Sequence, residues 1–249
     1  MYDVKLTYAF TLEQPEKKFV ICDMENGTDF IDPLILFNLP NYDIHNINSQ
    51  GLYAIGGQPE TNKLIKSYKW GIFPWFPYKD VGDAYWYCPR NRFVIFPEKI
   101  HVSHSLKSLL NKNKYFITIN KAFRDVIHNC RMINGRDNDD NAWLGETIEK
   151  IFIELNNLGL AKSIEVWEGD KLVGGFYGFW HKGVFQGESM FSLHSSASQI
   201  GLILLCKERN IEGKSIKLID TQFETPTFKK LGGEYISYNK YREIMNSVY

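Results

Sequence analysis

Residues 184–192 read Val-Phe-Gln-Gly-Glu-Ser-Met-Phe-Ser, and this stretch decides the fold of the chain. Its aromatic and β-branched residues, with polar residues at alternating positions, predict a β-strand. A carboxylate at Glu188 is costly in so apolar a segment unless it is hydrogen-bonded or paired. Strand alternation sorts the side chains into two sets. One face should carry Gln186, Glu188 and Met190, and the other Phe185, Gly187, Ser189 and Phe191.

A second apolar stretch repeats the feature. Residues 218–223 read Leu-Ile-Asp-Thr-Gln-Phe, so Asp220 and Gln222 lie two positions apart and should project from one face of a strand. Polar side chains on two interior strands indicate a polar site in an apolar wall. The pattern also fits a hydrogen-bonded structural network without chemistry, because buried acids are often structural. Both interpretations stay open at this point.

The elements around these strands follow a recognisable order. Residues 146–158 have helical spacing, residues 164–167 and 172–180 read as strands that precede the 184–192 strand, and residues 195–209 read as a buried helix. Helix, three-strand meander, helix and strand is the order of an acetyltransferase-type (GNAT-type) domain. We therefore predict an α+β fold with a mixed sheet flanked by helices.

The turn after the meander argues against an acyl-CoA enzyme. Such an enzyme needs a glycine-rich turn there, so that backbone amides at a helix N-terminus can approach the pyrophosphate. Residues 192–198 read Ser-Leu-His-Ser-Ser-Ala-Ser and contain no glycine. We expect no cofactor.

An aromatic segment stands out earlier in the chain. Residues 71–77 read Gly-Ile-Phe-Pro-Trp-Phe-Pro, and two prolines exclude a helix interior or a central strand. The pattern predicts an ordered aromatic loop. Such a loop serves either as a packing device or as a stacking platform for a planar ligand such as a nucleobase.

Composition and charge narrow the setting. The 249 residues carry 29 basic and 29 acidic side chains, so attraction to nucleic acid must be local. The most basic window is residues 99–121, which is either a solvated helix face or a phosphate-binding surface. His101 and His104 have no third ligand nearby, so we expect no metal. Four dispersed cysteines, no secretory signal and no apolar run of ~20 residues predict a cytoplasmic protein without a membrane segment.

Taken together, these residues resemble the bacterial leucyl/phenylalanyl-tRNA–protein transferases. The stretches Gly-Ile-Phe-Pro-Trp-Phe at 71–76 and Gly-Glu-Ser-Met-Phe-Ser at 187–192 are the most specific. Residues 1–50 contribute little to the resemblance. The other matching stretches are residues 51–57, 86–97, 163–167, 172–178, 218–222 and 231–232.

The resemblance implies a function. The family transfers Leu or Phe, and less well Met, from aminoacyl-tRNA to proteins that begin with Arg or Lys, which marks them for degradation. It implies a small N-terminal α/β domain with the aromatic loop over residues 1–90 and an acetyltransferase-like catalytic domain over residues 91–249. A cytoplasmic monomer is expected, with aminoacyl-tRNA and acceptor proteins as partners.

The resemblance also implies roles for individual residues. Glu188, Asp220 and Gln222 match the catalytic polar residues, and Trp75 and Trp143 match aromatics that hold the terminal adenosine of the tRNA. The pocket for the aminoacyl side chain maps to Phe176, Phe185, Met190, Leu202, Leu205 and Ile219. The basic residues expected to contact the tRNA backbone are Arg92, Lys99, Lys107, Lys112 and Lys114.

The chemistry of the reaction makes modest demands. An activated ester meets an α-amine whose pKa is about 7.7–8.0, so positioning supplies much of the rate. Our hypothesis is that Asp220 polarises Gln222, which orients the amine and helps to remove its proton, while Glu188 holds the tRNA end or the amine. The alternatives are another acetyltransferase-fold transferase that uses acyl-CoA or a peptidoglycan acceptor, and a non-catalytic module that binds tRNA or degrons.

Overall fold

The computed structural model describes residues 21–23, 27–29, 51–55, 58–75, 84–133 and 144–247. The strands are β1 (Ile21–Asp23), β2 (Gly27–Asp29), β3 (Leu52–Ile55), β4 (Phe73–Trp75), β5 (Tyr85–Tyr87), β6 (Asn91–Ile95), β7 (Phe116–Ile119), β8 (Ala161–Glu168), β9 (Lys171–His181), β10 (Val184–Ser192), β11 (Asn210–Ile211), β12 (Lys214–Ser215), β13 (Leu218–Gln222) and β14 (Glu234–Ser237). The α-helices are α1 (Thr61–Tyr68), α2 (His104–Asn111), α3 (Phe123–Met132), α4 (Glu146–Asn157), α5 (Ala197–Glu208), α6 (Pro226–Lys230) and α7 (Tyr238–Asn246), and a short 3-10 helix covers Pro97–Lys99.

A mixed seven-stranded sheet forms the centre of the fold, in the order β14-β6-β13-β10-β9-β8-β7. The only parallel pair among these strands is β10 with β13. That pairing needs a crossover connection, and α5 supplies it. The predicted α+β class with a mixed sheet and flanking helices is confirmed. The predicted meander is also confirmed, and β10 has the predicted bounds.

Two apolar cores cover the two faces of this sheet. On β13, Leu218 belongs to the first core and Ile219 to the second; on β6, Val94 and Ile95 divide in the same way. Helices α1, α3, α4 and α7 pack on the first face, and α2 and α5 pack on the second. Helix α5 is apolar nearly all round because it is buried on most sides. The sheet is therefore enclosed on both faces, and a polar group within it lies in an apolar medium.

Bulges interrupt the two strands that carry the polar residues. The register of β10 against β9 shifts between Gly187 and Ser189, so Glu188 is the extra residue. The predicted alternation is therefore wrong beyond this point. Phe185 lies in the second core, and Met190 packs against that same core, although alternation placed these two side chains on opposite faces. Strand β13 has its own shift against β6, between Asp220 and Gln222.

The aromatic segment is more regular than predicted. Phe73–Trp75 forms strand β4 at the edge of a three-stranded sheet in the order β3-β5-β4, where Pro74 lies opposite Trp86. The expectation of a loop is wrong for these residues, and the edge position explains why a proline is tolerated in the strand. Residues 76 and 77 lie outside the described ranges. Across the described residues, no helix has the length and apolarity needed to cross a bilayer.

Candidate active site

The site lies where β10 and β13 separate. Their Cα register runs from Val184 opposite Leu218 to Gln186 opposite Asp220, and no pair follows. Beyond that point the side-chain amide of Gln222 spans the gap, with Nε2 donating to Oε1 of Glu188 over 2.9 Å. A polar bridge thus replaces the backbone ladder at the point of separation.

Gln222 is held in an unusual backbone conformation. Its φ is 65°, in the left-handed region that is uncommon for a residue with a side chain. Its N–H donates to Asp220 Oδ1 over 2.8 Å, and Thr221 Oγ1 donates to the Phe93 carbonyl over 3.0 Å. These two bonds fix the bulge. The partly exposed Gln222 side chain receives no hydrogen bond at Oε1 from any described residue, so that oxygen is available to a ligand.

Asp220 is completely buried, yet it has three partners. Tyr241 donates its hydroxyl to Oδ2 over 2.7 Å, Arg92 Nε lies 3.4 Å from the same oxygen, and Gln222 N–H occupies Oδ1. Burial raises the pKa of Asp220, while the Arg92 charge and the two hydrogen bonds oppose that rise. The carboxylate is tied to fixed donors and acts as an internal anchor.

Arg92 departs from its predicted role. Its side chain is fully buried between the rings of Phe73 and Tyr241, with Cζ 5.1 and 4.8 Å from their centroids. Burial is the largest single effect and disfavours the charge, but Asp220 together with Tyr241, Cys88 and Tyr238 outweighs it and raises the pKa of Arg92. A guanidinium enclosed in this way cannot reach a phosphate. We therefore correct the expectation of a tRNA backbone contact: Arg92 is the counter-charge of Asp220.

Glu188 has the strongly perturbed carboxyl of the site. Burial raises its pKa to about 8, and the charge of Asp220 acts in the same direction. Gln222 and Arg92 oppose this rise. The buried hydroxyl of Tyr68, at the end of α1, approaches closely enough to lower the pKa of Glu188 but falls short of full hydrogen-bond geometry. A carboxyl with a pKa near neutrality is suited to proton transfer.

An exposed aromatic surface adjoins this network. Trp75 on β4 is 41% exposed, and its ring centroid lies 5.8 Å from Phe223 and 6.1 Å from Tyr87. Phe223 follows Gln222 directly, so the end of β13 meets β4 there. An exposed indole of this kind can stack on a planar group such as a nucleobase. Trp143, the predicted partner of Trp75, lies outside the described residues.

The six predicted pocket residues come together in the second core. Phe176 and Phe185 meet edge to face, with ring centroids 5.9 Å apart. Five of the six side chains are buried, and Met190 is the partly exposed one at the margin. Met190 pairs with Phe176 across β9 and β10. The set is Phe176, Phe185, Met190, Leu202, Leu205 and Ile219.

The basic window divides into paired and unpaired side chains. Lys99 forms an ion pair with Glu234, and Lys114 Nζ lies 3.2 Å from Glu168. Lys107 and Lys112, on and just after α2, are exposed and have no ion-pair partner among the described residues. Of the predicted phosphate contacts, these two are the most available.

Sequence reasoning missed Tyr68 and Tyr241, which contact the two carboxyls. Each has the spacing of an ordinary core residue on an amphipathic helix, so no local signal separates it from a packing tyrosine. Among the described residues, no group of three or more His, Cys, Asp or Glu could hold a metal ion.

The fold and the site define an α+β protein whose polar cluster sits between two diverging strands beneath an exposed aromatic surface. Comparison with known protein families then identifies the family to which the chain belongs. The model described as "Leucyl/phenylalanyl-tRNA protein transferase" matches residues 94–246, and the model of that family's N-terminal domain matches residues 57–90. The chain belongs to this family, and the resemblance found from the sequence is confirmed.

Individual relatives agree with this assignment. A leucyl/phenylalanyl-tRNA–protein transferase of Christiangramia forsetii is 39% identical over 191 residues, which cover 76% of this chain and 88% of the relative. One from Psychromonas ingrahamii is 36% identical over 226 residues, covering 88% and 89%. A crystal structure of a conserved protein of unknown function from Bacteroides thetaiotaomicron has a TM-score of 0.40 at 10% identity, over 64% of this chain and 56% of that one; a likeness this weak carries no argument.

Proposed function

We propose that this chain transfers leucine or phenylalanine, and less readily methionine, from aminoacyl-tRNA to proteins whose first residue is Arg or Lys, marking them for degradation. Family membership supports the reaction class. The observation that carries the proposal is the Glu188–Gln222–Asp220 network, in which Gln222 Oε1 receives no hydrogen bond from any described residue. Such an amide oxygen can accept a hydrogen bond from an N–H of the substrate.

The proposal includes an acetyltransferase-like catalytic domain over residues 91–249 and a small N-terminal domain over residues 1–90. One parallel pair in an otherwise antiparallel sheet supports the first, because the strands part beyond it and leave room for a substrate. The two family models support the boundary, because the N-terminal model ends at residue 90 and the other model begins at residue 94. A cytoplasmic monomer remains our expectation.

The donor would lie across three surfaces. The terminal adenosine stacks on Trp75, with Trp143 as its predicted second contact. The aminoacyl side chain enters at Met190 and displaces it from the margin of the second core, since methionine adapts readily to different shapes. The phosphates face Lys107 and Lys112. The ester carbonyl is then held near Gln222, where β10 and β13 separate.

The chemical step is an aminolysis. The α-amine of the acceptor attacks the ester carbonyl, an N–C bond forms, and the C–O bond to the terminal ribose breaks. One amine proton is lost, and the ribose oxygen gains a proton. Gln222 Oε1 accepts an amine N–H and aims the nitrogen lone pair, while the Glu188 carboxylate takes the proton. Asp220 acts on Gln222 through the Gln222 backbone N–H.

The acceptor would itself activate the base. Its Arg or Lys side chain brings a positive charge toward Glu188 and Asp220, of which only Asp220 is paired with Arg92. A cation near Glu188 lowers its pKa, because an opposite charge favours the ionised carboxyl. An acceptor with an uncharged first residue lacks this effect and would be a poorer substrate for that reason.

The test is transfer of radiolabelled Leu from charged tRNA to a peptide with N-terminal Arg. We expect transfer to the free peptide and none to its N-acetylated form. Gln222→Ala should lower kcat/KM by about 10²-fold or more, because a misplaced nucleophile can cost that much. Asp170→Asn, which changes an exposed turn carboxylate, is the matched control. Binding of charged tRNA without transfer from Leu-, Phe- or Met-tRNA would contradict the proposal and favour a binding module.

A further inference from the structure

Four consecutive carbonyls, those of the last residue of α1 and of the three residues after it, are each bound by a side chain from the 91–249 region. Gln186 Nε2 donates to the Tyr68 carbonyl over 3.1 Å. Arg242 donates to the Lys69 carbonyl, Tyr238 donates its hydroxyl to the Trp70 carbonyl over 2.8 Å, and Arg92 donates to the Gly71 carbonyl. The donors come from β10, α7 and β6, so three separate elements converge on one turn.

The geometry of α1 makes these carbonyls available. A helix leaves its last carbonyls without internal partners, and they carry the negative end of the helix dipole. Gly71 lies in the turn that follows the helix, with φ 74°, and the Ile72 N–H returns to the Ser67 carbonyl over 2.9 Å. The two guanidinium donors match the sign of the dipole. A Cβ at Gly71 would lie 2.6 Å from the Tyr241 ring, so the turn is closely packed against α7.

Ring contacts reinforce the same junction. Arg242 Cζ lies 4.1 Å from the centroid of the Trp70 ring, and a cation over an indole is the strongest pair of this type. Strand β4 begins two residues after Gly71, so whatever fixes residues 68–71 also fixes the direction of Phe73–Trp75. The same turn fixes Tyr68, which approaches Glu188.

We propose that Tyr238 and Arg242 are positioning residues for the aminoacyl-tRNA donor. They hold the end of α1 by its carbonyls and thereby set Trp75 and Tyr68 at a fixed height above Glu188 and Gln222. This inference rests on the proposed function for its kinetic consequence. The docking itself is a property of the fold that can be measured without catalysis.

The variants remove one donor at a time. Tyr238→Phe deletes a single hydroxyl, and Arg242→Ala deletes both the hydrogen bond and the ring contact. Arg242→Lys keeps a cation and a donor and should restore most of the loss. Lys240→Ala is the matched control, because Lys240 is an exposed cation on the same helix, with Glu243 as its ion-pair partner.

Hydrogen exchange of the Ile72, Phe73 and Trp75 amides measures the docking. We expect exchange to accelerate roughly three- to tenfold in Tyr238→Phe and Arg242→Ala, the equivalent of about one hydrogen bond, with β8–β10 unchanged. The KM for aminoacyl-tRNA should rise by a similar factor, with kcat and the KM for the acceptor peptide within about twofold of wild type. A role in stability alone would not separate the two KM values.

Three outcomes would overturn the inference. Unchanged exchange at residues 72–75 would show that these side chains do not dock the strand. Faster exchange with an unchanged donor KM would make the contacts structural only, and a rise in the acceptor KM alone would assign them to the other substrate. If the wild-type protein transfers nothing, the proposed function fails. The positioning role is then decided separately by hydrogen exchange and by the affinity for charged tRNA. We expect Arg242→Ala to weaken that affinity and Lys240→Ala to leave it unchanged.

Discussion

Glu188 is the residue whose chemistry depends most on its surroundings. Sequence alternation placed a carboxylate in an apolar strand and so indicated a perturbed acid. Gln222 was also predicted as a site residue, although as the partner of Asp220 rather than of Glu188. The role of Arg92 as the counter-charge of Asp220 was not predicted. Arginine is rarely buried, and Arg92 follows a loop, as surface arginines do. Only the convergence of β6, β13 and α7 encloses that side chain against Asp220.

The raised pKa of Glu188 predicts a steep pH dependence. Glu188 must lose its proton to accept one from the amine, and its pKa of about 8 lies close to the amine pKa of about 7.7–8.0. Below neutrality, log kcat/KM for the acceptor should therefore rise with a slope approaching two per pH unit. In Glu188→Gln only the amine titrates, and the slope should fall to about one. A slope of one in both proteins would contradict the role of Glu188 as base.

Thermal unfolding supplies a control that does not depend on catalysis. The folded-state pKa of Glu188 is raised, so the stability that its neutral form contributes is present at low pH and lost as pH rises through about 8. Gln cannot ionise. The Tm of Glu188→Gln relative to wild type should therefore increase between pH 5 and pH 9, and a constant difference would show that the environment of Glu188 is ordinary.

The bounds of strand β10 follow from its sequence pattern, but its bulge does not. Its bounds were predicted correctly, because composition and turn residues mark both ends. Its bulge was not predicted, since an inserted residue leaves the polar–apolar alternation of the sequence intact while reversing the faces that follow. The same limitation applies to β13, where the left-handed conformation of Gln222 has no signature in the sequence.

The reversal of faces can be tested on donor specificity. With the bulge, Met190 lies at the second core beside Phe176, and Phe191 lies in the first core. Met190→Phe should narrow the pocket and shift the Leu-to-Phe ratio of kcat/KM toward Leu by about tenfold, within the ~1–3 kcal/mol that an apolar pocket can discriminate. Phe191→Leu is the control and should leave the ratio unchanged. If Phe191→Leu changed the ratio and Met190→Phe did not, the side chains would follow the simple strand alternation predicted from the sequence.

At the scale of the whole molecule, a net charge of zero does not mean that charge is evenly distributed over the surface. Formal charge is zero, and two lysines of the basic window are already paired with glutamates. Composition could not show this pairing, because Glu234 and Glu168 are remote in sequence from Lys99 and Lys114. The lysines without an ion-pair partner in the described part of the window should therefore contribute most to tRNA affinity.

The salt dependence of tRNA binding measures that contribution. Lys107→Glu and Lys112→Glu should each reduce the slope of log K against log salt by about one, as expected for one lost phosphate contact. Lys99→Glu should change the slope less, because its charge is already offset. Lys182→Glu, at the far end of β9 from Lys114, is the control. Equal effects at all four positions would indicate attraction by overall charge rather than a defined surface.

The position of β6 in the sheet bears on how the protein is made. Both strands that flank it, β13 and β14, are synthesised about 120 residues or more after it. At a synthesis rate of ~5–20 residues per second, β6 waits roughly 6–25 s on the ribosome with both edges unpaired. Asp220 and Gln222 lie on β13 and are made equally late. A nascent chain therefore has neither the Gln222–Glu188 bond nor the Asp220–Arg92 pair until β13 has joined the sheet.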